Sequence, residues 1–376
     1  MGNSFLENGN KSNCNGCGIC ALVCPKKCIK MVEDEEGFLY PKIDKEKCIK
    51  CNKCKKICSN TNLSEINNKD TKVYAVINKD DNIRRKSSSG GVFWELVKYV
   101  IEREGIVFGA CYNERMEVIH DSAITLEECS KFRGSKYVRS NINGSYEKVE
   151  KYLKQDKYVL FTGTPCQVNG LLNFLQKDYK KLITCNIICH ANPSPKVFKN
   201  YIKEKENEKN KKIVNVEFRS KENGWRKQIP ILYYQDGTKE EENIFHKAFS
   251  TELINRPSCY KCKFANNPMV GDFTIGDFWG VEEFLKSMDD NKGTSILFVN
   301  NDKGKETFKD IKDNFKYEEI TVQQALAKNH NKPISINKRR TKFFKEMNKT
   351  GVTIKYLEKY GKKTVLQRIK KKLKIR

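Results

Sequence analysis

The chain has 376 residues, a formal net charge of +25 and 38% hydrophobic residues. That length fits two or three domains with a buried core, and the apolar content excludes disorder throughout. No run approaches the roughly eighteen apolar residues that cross a bilayer, the start Met1-Gly2-Asn3-Ser4-Phe5 lacks a hydrophobic signal core, and the positive charge accompanies no nucleic-acid motif, so a cytoplasmic protein without a nucleic-acid partner is expected.

Two cysteine runs come first, Cys14-x-x-Cys17-x-x-Cys20-x-x-x-Cys24 and Cys48-x-x-Cys51-x-x-Cys54-x-x-x-Cys58, thirty-four residues apart and matching position for position. Cysteines at steps of three on a tight loop serve three irons of a [4Fe–4S] cube, and in two-cluster ferredoxins the fourth cysteine of each run serves the other cube. The expected ligand sets are therefore Cys14, Cys17, Cys20 and Cys58 for one cluster, and Cys48, Cys51, Cys54 and Cys24 for the second. Structural zinc sites pair their cysteines across a longer gap, and a disulfide framework needs an oxidising compartment. Between the runs, residues 28–32 and 38–43 read as two short strands around the turn Asp34-Glu35-Glu36-Gly37. Cys28 falls outside the repeat as a spare thiol, and Ser59 stands where a proline is expected after Cys58.

Residues 1–62 form this α+β two-cluster ferredoxin module, and the Asn-rich residues 63–72 read as a linker. A strand at 73–77 opens a second domain. Ser87-Ser88-Ser89-Gly90-Gly91 then precedes an apolar-periodic helix at 92–101, an arrangement that suits either phosphate binding or ordinary capping. After a strand at 105–111, Lys131-Phe132-Arg133-Gly134-Ser135-Lys136-Tyr137-Val138-Arg139-Ser140 is dense in cations and hydroxyls, a diphosphate clamp or a solvated basic loop. A buried strand at 157–161 runs into Thr162-Gly163-Thr164-Pro165-Cys166-Gln167 and a helix at 168–175. Such strand–loop–helix turns are where open α/β sheets bind ligands. Further strands are expected at 182–188, 213–218, 229–234 and 295–300, with a tight turn across residues 271–280.

Cys166, Cys189, Cys259 and Cys262 make a second set, either ligands of a third cluster or buried small hydrophobes. The latter reading suits Cys111, Cys129 and Cys185, but Lys261 and Lys263 around Cys259-x-x-Cys262 fit it poorly. From Lys338 onward, sixteen Lys or Arg face two Glu. Val365, Leu366, Ile369 and Leu373 share one helical face there, so residues 346–376 read as a basic amphipathic tail, either a solubilising helix or a peripheral contact with an anionic membrane at the inner face.

The ordered motifs Ser87-Ser88-Ser89-Gly90-Gly91, Arg133-Gly134-Ser135-Lys136-Tyr137-Val138, Thr162-Gly163-Thr164-Pro165-Cys166-Gln167, Cys189-His190, Cys259-x-x-Cys262 and Ile275-Gly276-Asp277-Phe278-Trp279-Gly280 together resemble the coenzyme F420 hydrogenase/dehydrogenase beta-subunit family. The resemblance covers roughly residues 73–344. It departs at Ala191, where members usually have glycine. It implies an α/β flavin-binding catalytic domain over residues 73–345, with FAD and a third [4Fe–4S] cluster on Cys166, Cys189, Cys259 and Cys262. By the same resemblance Ser87, Ser88, Ser89, Gly90, Gly91, Arg133, Ser135, Lys136, Thr162, Gly163 and Thr164 become candidates for the flavin, and His190 and Asp277 candidates for proton handling or flavin contact.

The implied activity is an oxidoreductase relaying electrons between a low-potential carrier and an organic hydride acceptor such as coenzyme F420. An acidic carrier such as ferredoxin suits the basic surface. Two alternatives stand beside it, a non-catalytic electron-transfer subunit of a larger redox complex and a redox protein of cell-surface polysaccharide biosynthesis.

Overall fold

The computed structural model describes residues 4–63, 70–266, 269–329 and 332–362. In the N-terminal module, strands β1 (Ile29–Glu33) and β2 (Leu39–Ile43) pair antiparallel as the expected hairpin. Its turn is fixed by Asp34, whose Oδ1 accepts from the Glu36 and Phe38 amides. Cysteine-bearing helical turns lie at Ile19–Leu22 and Lys53–Lys56. This is the ferredoxin-like module.

Eleven further strands follow among the described residues: β3 (Lys72–Asn78), β4 (Ile106–Tyr112), β5 (Val118–Ala123), β6 (Val159–Gly163), β7 (Leu182–Ile187), β8 (Ile213–Glu217), β9 (Ile231–Tyr234), β10 (Lys239–Glu241), β11 (Phe273–Asp277), β12 (Ser295–Val299) and β13 (Phe315–Glu319). Eight of them build one mixed sheet in the order β13-β3-β12-β11-β7-β6-β4-β5, and β10-β9-β8 form a small separate sheet. Strands β4, β6, β7 and β11 run parallel. β12 is antiparallel to both β11 and β3, so the C-terminal ends of β3, β4, β6, β7 and β11 share one sheet edge with the start of β12. That edge collects the loops of the candidate site.

The helix Val92–Ile101 forms where its apolar spacing placed it, burying Val92, Leu96, Val97 and Val100 against one sheet face. On the other face, Tyr146, Val149, Val168 and Leu171 of the helices Ser145–Lys154 and Pro165–Leu175 pack with Cys17, Ile19 and Ile57 of the N-terminal module. Asn169 and Asn173 secure that contact by donating to backbone carbonyls of Ile57, Ser59 and Asn62.

Two expectations differ from the structure. Residues 271–280 are not only a turn, since they contain the central strand β11, in which a Cβ on Gly276 would lie 2.7 Å from Ile188. The expected boundary at residue 345 falls inside the helix Arg340–Thr350. Phe343, Phe344 and Met347 of that helix share a buried cluster with Leu357 and Tyr360 of the helix Ile354–Gly361 and with the small sheet. These aromatic side chains are spaced among lysines, which made the segment read as surface. Val365, Leu366, Ile369 and Leu373, and linker residues 64–69, lie outside the described residues.

Candidate functional site

Cys14, Cys17, Cys20 and Cys58 line one recess with Ile19, Met31 and Pro41. Gly16 and Gly18, at φ +67° and +81°, take the left-handed turns that point the three loop cysteines inward. Burial pushes Cys17 up to about 11 and raises Cys20 and Cys58, with the neighbouring thiols adding to the effect. Buried thiols that resist ionising one by one suit a metal centre, whose positive charge compensates thiolates.

The other dicluster ligand set lies nearer solvent, with Cys51 exposed and Cys24, Cys48 and Cys54 half-buried. Its loop repeats the left-handed turns with Lys50 and Asn52, at φ +55° and +59°, in place of Gly16 and Gly18. Cys28 is not remote from this set, because its Sγ lies 3.3 Å from Cys24 Sγ. Among the described residues, no three His, Cys, Asp or Glu side chains converge on a single-ion position. A cube places each thiolate on its own iron, so its ligands surround a space and do not meet at a point.

Cys166, Cys189, Cys259 and Cys262 come from three segments and line one recess with Asn15, His190, Asn192 and Phe264. Cys166 lies in the first turn of Pro165–Leu175, which Thr164 and Gln167 cap reciprocally. Cys189 follows the end of β7, and Cys259 sits in the turn Pro257–Lys261. Burial and the three other thiols push Cys189 well up, and burial takes Cys262 up to about 12. Donors already face these sulfurs. The Asn192 amide donates to Cys259 Sγ at 3.4 Å, and Arg139 Nη1 lies 3.3 Å from Cys166 Sγ. Arg139 Nη2 and Asn15 Nδ2 are buried without a hydrogen-bond partner among the described residues. Asn15 lines both this recess and that of Cys14, Cys17, Cys20 and Cys58. Cys111, Cys129 and Cys185 lie inside the apolar core of the sheet.

The structure brings the serine–glycine and cationic loops together. Ser88 Oγ accepts from the Ser135 amide at 3.0 Å, and Arg133 donates to Ile83 O, Lys86 O and Ser87 Oγ while stacking on Trp94. Ser89 Oγ donates to Thr294 O, and Lys136 Nζ donates to the carbonyls of Lys131 and Arg133. Gly90 and Gly91 answer to packing, since a Cβ on Gly90 would lie 2.2 Å from Val76 O and one on Gly91 would lie 2.9 Å from Asn78 Cβ. Thr162, Gly163 and Thr164 form a separate turn at the end of β6. There Thr162 Oγ1 donates to Phe108 O, and Thr164 Oγ1 lies 3.3 Å from Arg139 Nη1.

His190 shares a hydrogen bond with Glu252 through Nε2 at 3.0 Å and lines the recess of the third cysteine set. Asp277 is held by the Arg219 guanidinium and by Trp225 Nε1 at 3.1 Å, and Trp225 stacks on Trp279 with ring centroids 4.7 Å apart. Near them Lys221 donates to Arg84 O and Ser89 O, while burial and the Arg84 charge push it down to about 7. Burial pushes Lys136 down to about 8. Arg219, Lys221 and Arg256 escaped the sequence reading, and Arg139 entered it only as one cation of the loop 131–140. Each is one cation in a lysine-rich chain, and only the fold shows which of them is buried.

Residues 156–325 match the family described by the C terminus of the coenzyme F420 hydrogenase/dehydrogenase beta subunit. Residues 13–62 match the 4Fe-4S dicluster domain. Among solved structures, the chain is similar to one from the xenon-derivatised F420-reducing [NiFe] hydrogenase complex of Methanosarcina barkeri, at 19% identity over 76% of this chain and 89% of that chain, with a TM-score of 0.44. No curated protein matches. The chain thus joins a 4Fe-4S dicluster domain to a domain of the coenzyme F420 hydrogenase/dehydrogenase beta-subunit family, and is an iron–sulfur redox protein related to the F420 hydrogenase beta subunit.

Proposed function

We propose that the protein is an oxidoreductase that relays electrons from an acidic one-electron carrier, through three [4Fe–4S] clusters, to FAD and an organic hydride acceptor such as coenzyme F420. The observation that carries this reading is the third cysteine set, four thiols from three segments around one recess that shares Asn15 with the inner dicluster site. The unpartnered Arg139 Nη2 beside Cys166 supports it, as a buried donor lacking an acceptor among the described residues.

Cys14, Cys17, Cys20 and Cys58 would hold the inner cluster, Cys24, Cys48, Cys51 and Cys54 the outer one, and Cys166, Cys189, Cys259 and Cys262 the third. FAD would supply the exchange between single electrons and a hydride pair. Ser87, Ser88, Ser89, Arg133, Ser135 and Lys136 adjoin at the sheet edge and would bind its diphosphate, with Lys221 as a further cation. Thr162, Gly163 and Thr164 border the path from Cys166. His190 with Glu252 forms a proton-carrying pair at Nε2, whereas the contacts of Asp277 fit it to orient Arg219 and the Trp225–Trp279 stack. The exposed lysines Lys26, Lys27, Lys50 and Lys53 are borne on the loops of the outer set and would dock the acidic carrier. No helix among the described residues is long and apolar enough to cross a membrane.

Protein purified and reconstituted anaerobically should hold about twelve iron per chain, from three four-iron clusters, together with flavin absorbance. Cys259→Ser should remove about four iron and leave the ferredoxin-type signals. About eight iron without flavin overturns the enzyme reading and leaves a non-catalytic carrier. One observation favours that second reading, since Arg133 and Lys136 already donate to backbone carbonyls.

A further inference from the structure

Arg256 is only 1% exposed and heads the fully buried side chains by volume. Its backbone belongs to the loop of the third cysteine set, where the Arg256 amide donates to Asn192 O at 2.9 Å and its carbonyl accepts from the Cys259 amide at 3.0 Å. Its side chain reaches into the other site. Nε donates to Cys14 O at 2.8 Å, Nη2 donates to Leu39 O at 2.9 Å, and Nη2 lies 3.6 Å from Cys14 Sγ. The guanidinium lies over the Tyr40 ring, 4.4 Å from its centroid. Among the described residues no carboxylate pairs with it, although a buried cation without a counter-charge is costly.

The cysteine repeat is shaped around this side chain. A Cβ at Gly16 would lie 2.8 Å from Arg256 Nη1, whereas the equivalent position of the second copy carries Lys50 in the same left-handed conformation. No arginine hydrogen-bonds to a thiol of the outer set among the described residues. The two halves of the dicluster domain therefore differ by one buried cation.

Reducing a [4Fe–4S] cluster adds one negative charge. Burial disfavours that charge by removing water, and on this ground alone the inner cluster would be harder to reduce than the exposed outer one. A fixed cation beside Cys14 acts in the opposite sense, because it stabilises the more negative, reduced form. We infer that Arg256 sets the reduction potential of the inner cluster, holding it high enough to accept an electron from the outer cluster and placing that electron beside the loop of Cys259. In this transfer the outer cluster is oxidised by one electron, the inner cluster is reduced by one, and no proton or other reactant is required. The inference rests on the cluster assignment proposed above, but its inner-cluster part stands on the dicluster domain alone.

The test is a potentiometric titration of the full-length, anaerobically reconstituted protein with dithionite, followed by electron paramagnetic resonance. In Arg256→Gln, one of the two dicluster potentials should fall, with reduction about tenfold less favourable, which is about 59 mV for one electron. The other potential should stay in place. Arg256→Lys, which keeps the charge but loses the planar fork, should move the same potential by less. Lys53→Gln, which removes an exposed and solvent-screened charge, should leave the inner potential unchanged. Unchanged potentials in Arg256→Gln with full iron overturn the inference, as does an equal shift of both. If Arg256→Gln does not retain iron, Arg256→Lys decides, and a fall there as large as the tenfold expected for loss of the charge overturns the inference. A protein with about eight iron and no flavin would end the relay reading, yet should still show the Arg256 shift.

Discussion

Arg340 grips Glu36 with both arms of its guanidinium, joining the first turn of a C-terminal helix to the hairpin turn of the N-terminal module across 304 residues of sequence. Both side chains are largely buried, at 10% and 12% exposure, and Arg340 also donates to Asn255 O. Removing one partner leaves the other charge buried without compensation. Arg340→Ala is therefore expected to cost about 3–5 kcal/mol in chemical denaturation and to speed proteolysis between the module and the larger domain. Unchanged denaturation and cleavage would show that the pair does not hold the module in place.

Gly90 and Ser87 separate packing from ligand contact in the same loop. A Cβ at Gly90 would collide with the backbone of β3 and β12, so Gly90→Ala should destabilise the fold by about 1–3 kcal/mol, measured by thermal unfolding. Ser87 Oγ, which donates to Ile83 O, is half-buried. Ser87→Ala should lower flavin retention after gel filtration and leave the melting temperature close to that of the parent.

His190 and Asp277 should part company in a pH–rate profile. His190→Gln removes the group that shares a proton with Glu252, so one limb of the profile should shift or vanish. Asp277→Asn keeps the hydrogen-bonding shape but takes the negative charge from a buried Arg219. It should lower stability and flavin content while the surviving activity keeps the parental pH dependence. A changed pH limb in Asp277→Asn would return that residue to proton transfer.

His120 sets an acid limit. It is buried, with Nε2 hydrogen-bonded to Thr162 O at 2.8 Å and Nδ1 without a partner among the described residues, and burial pushes it down to about 4. The unfolded chain takes up a proton near the ordinary value of 6.5, and the folded chain does so only near 4. Stability should thus rise with pH from about 4 to about 6.5 and be lost on acidification through that window. His120→Phe should flatten this part of the curve in urea titrations at several pH values.

Carrier docking should depend on salt. Reduction by an acidic ferredoxin should show a rising apparent KM and a nearly constant kcat as ionic strength increases. Lys50→Glu with Lys53→Glu should reproduce the effect at low salt. A salt-independent KM would place the entry point elsewhere.

The most local signals were the most legible. Cysteine spacing marked the dicluster module because its ligands lie on short loops, and the period of Val92, Leu96, Val97 and Val100 marked a helix. Loop positions and charged neighbours left Cys166, Cys189, Cys259 and Cys262 open between a third cluster and buried small hydrophobes, and only the resemblance implied a ligand set, since no local rule brings together residues that converge only when β6 and β7 pair. Strand β11 was obscured by Gly276 and Asp277, which suit a turn in isolation, although Gly276 here packs closely against Ile188 within the sheet. The Arg219–Asp277 and Arg256–Cys14 contacts had no signature at all, because charged residues are read as surface until the fold buries them.

The exposure of Cys51 also decides how the protein ages. Oxygen and chelators would reach the outer cluster before Cys17 or Cys259, both of which are buried. Damage would then begin at the entrance, cutting off supply while the inner centres stay intact. In air the expected course is a stepwise bleaching whose first stage iron and sulfide can reverse, with activity failing before the bulk of the iron is gone.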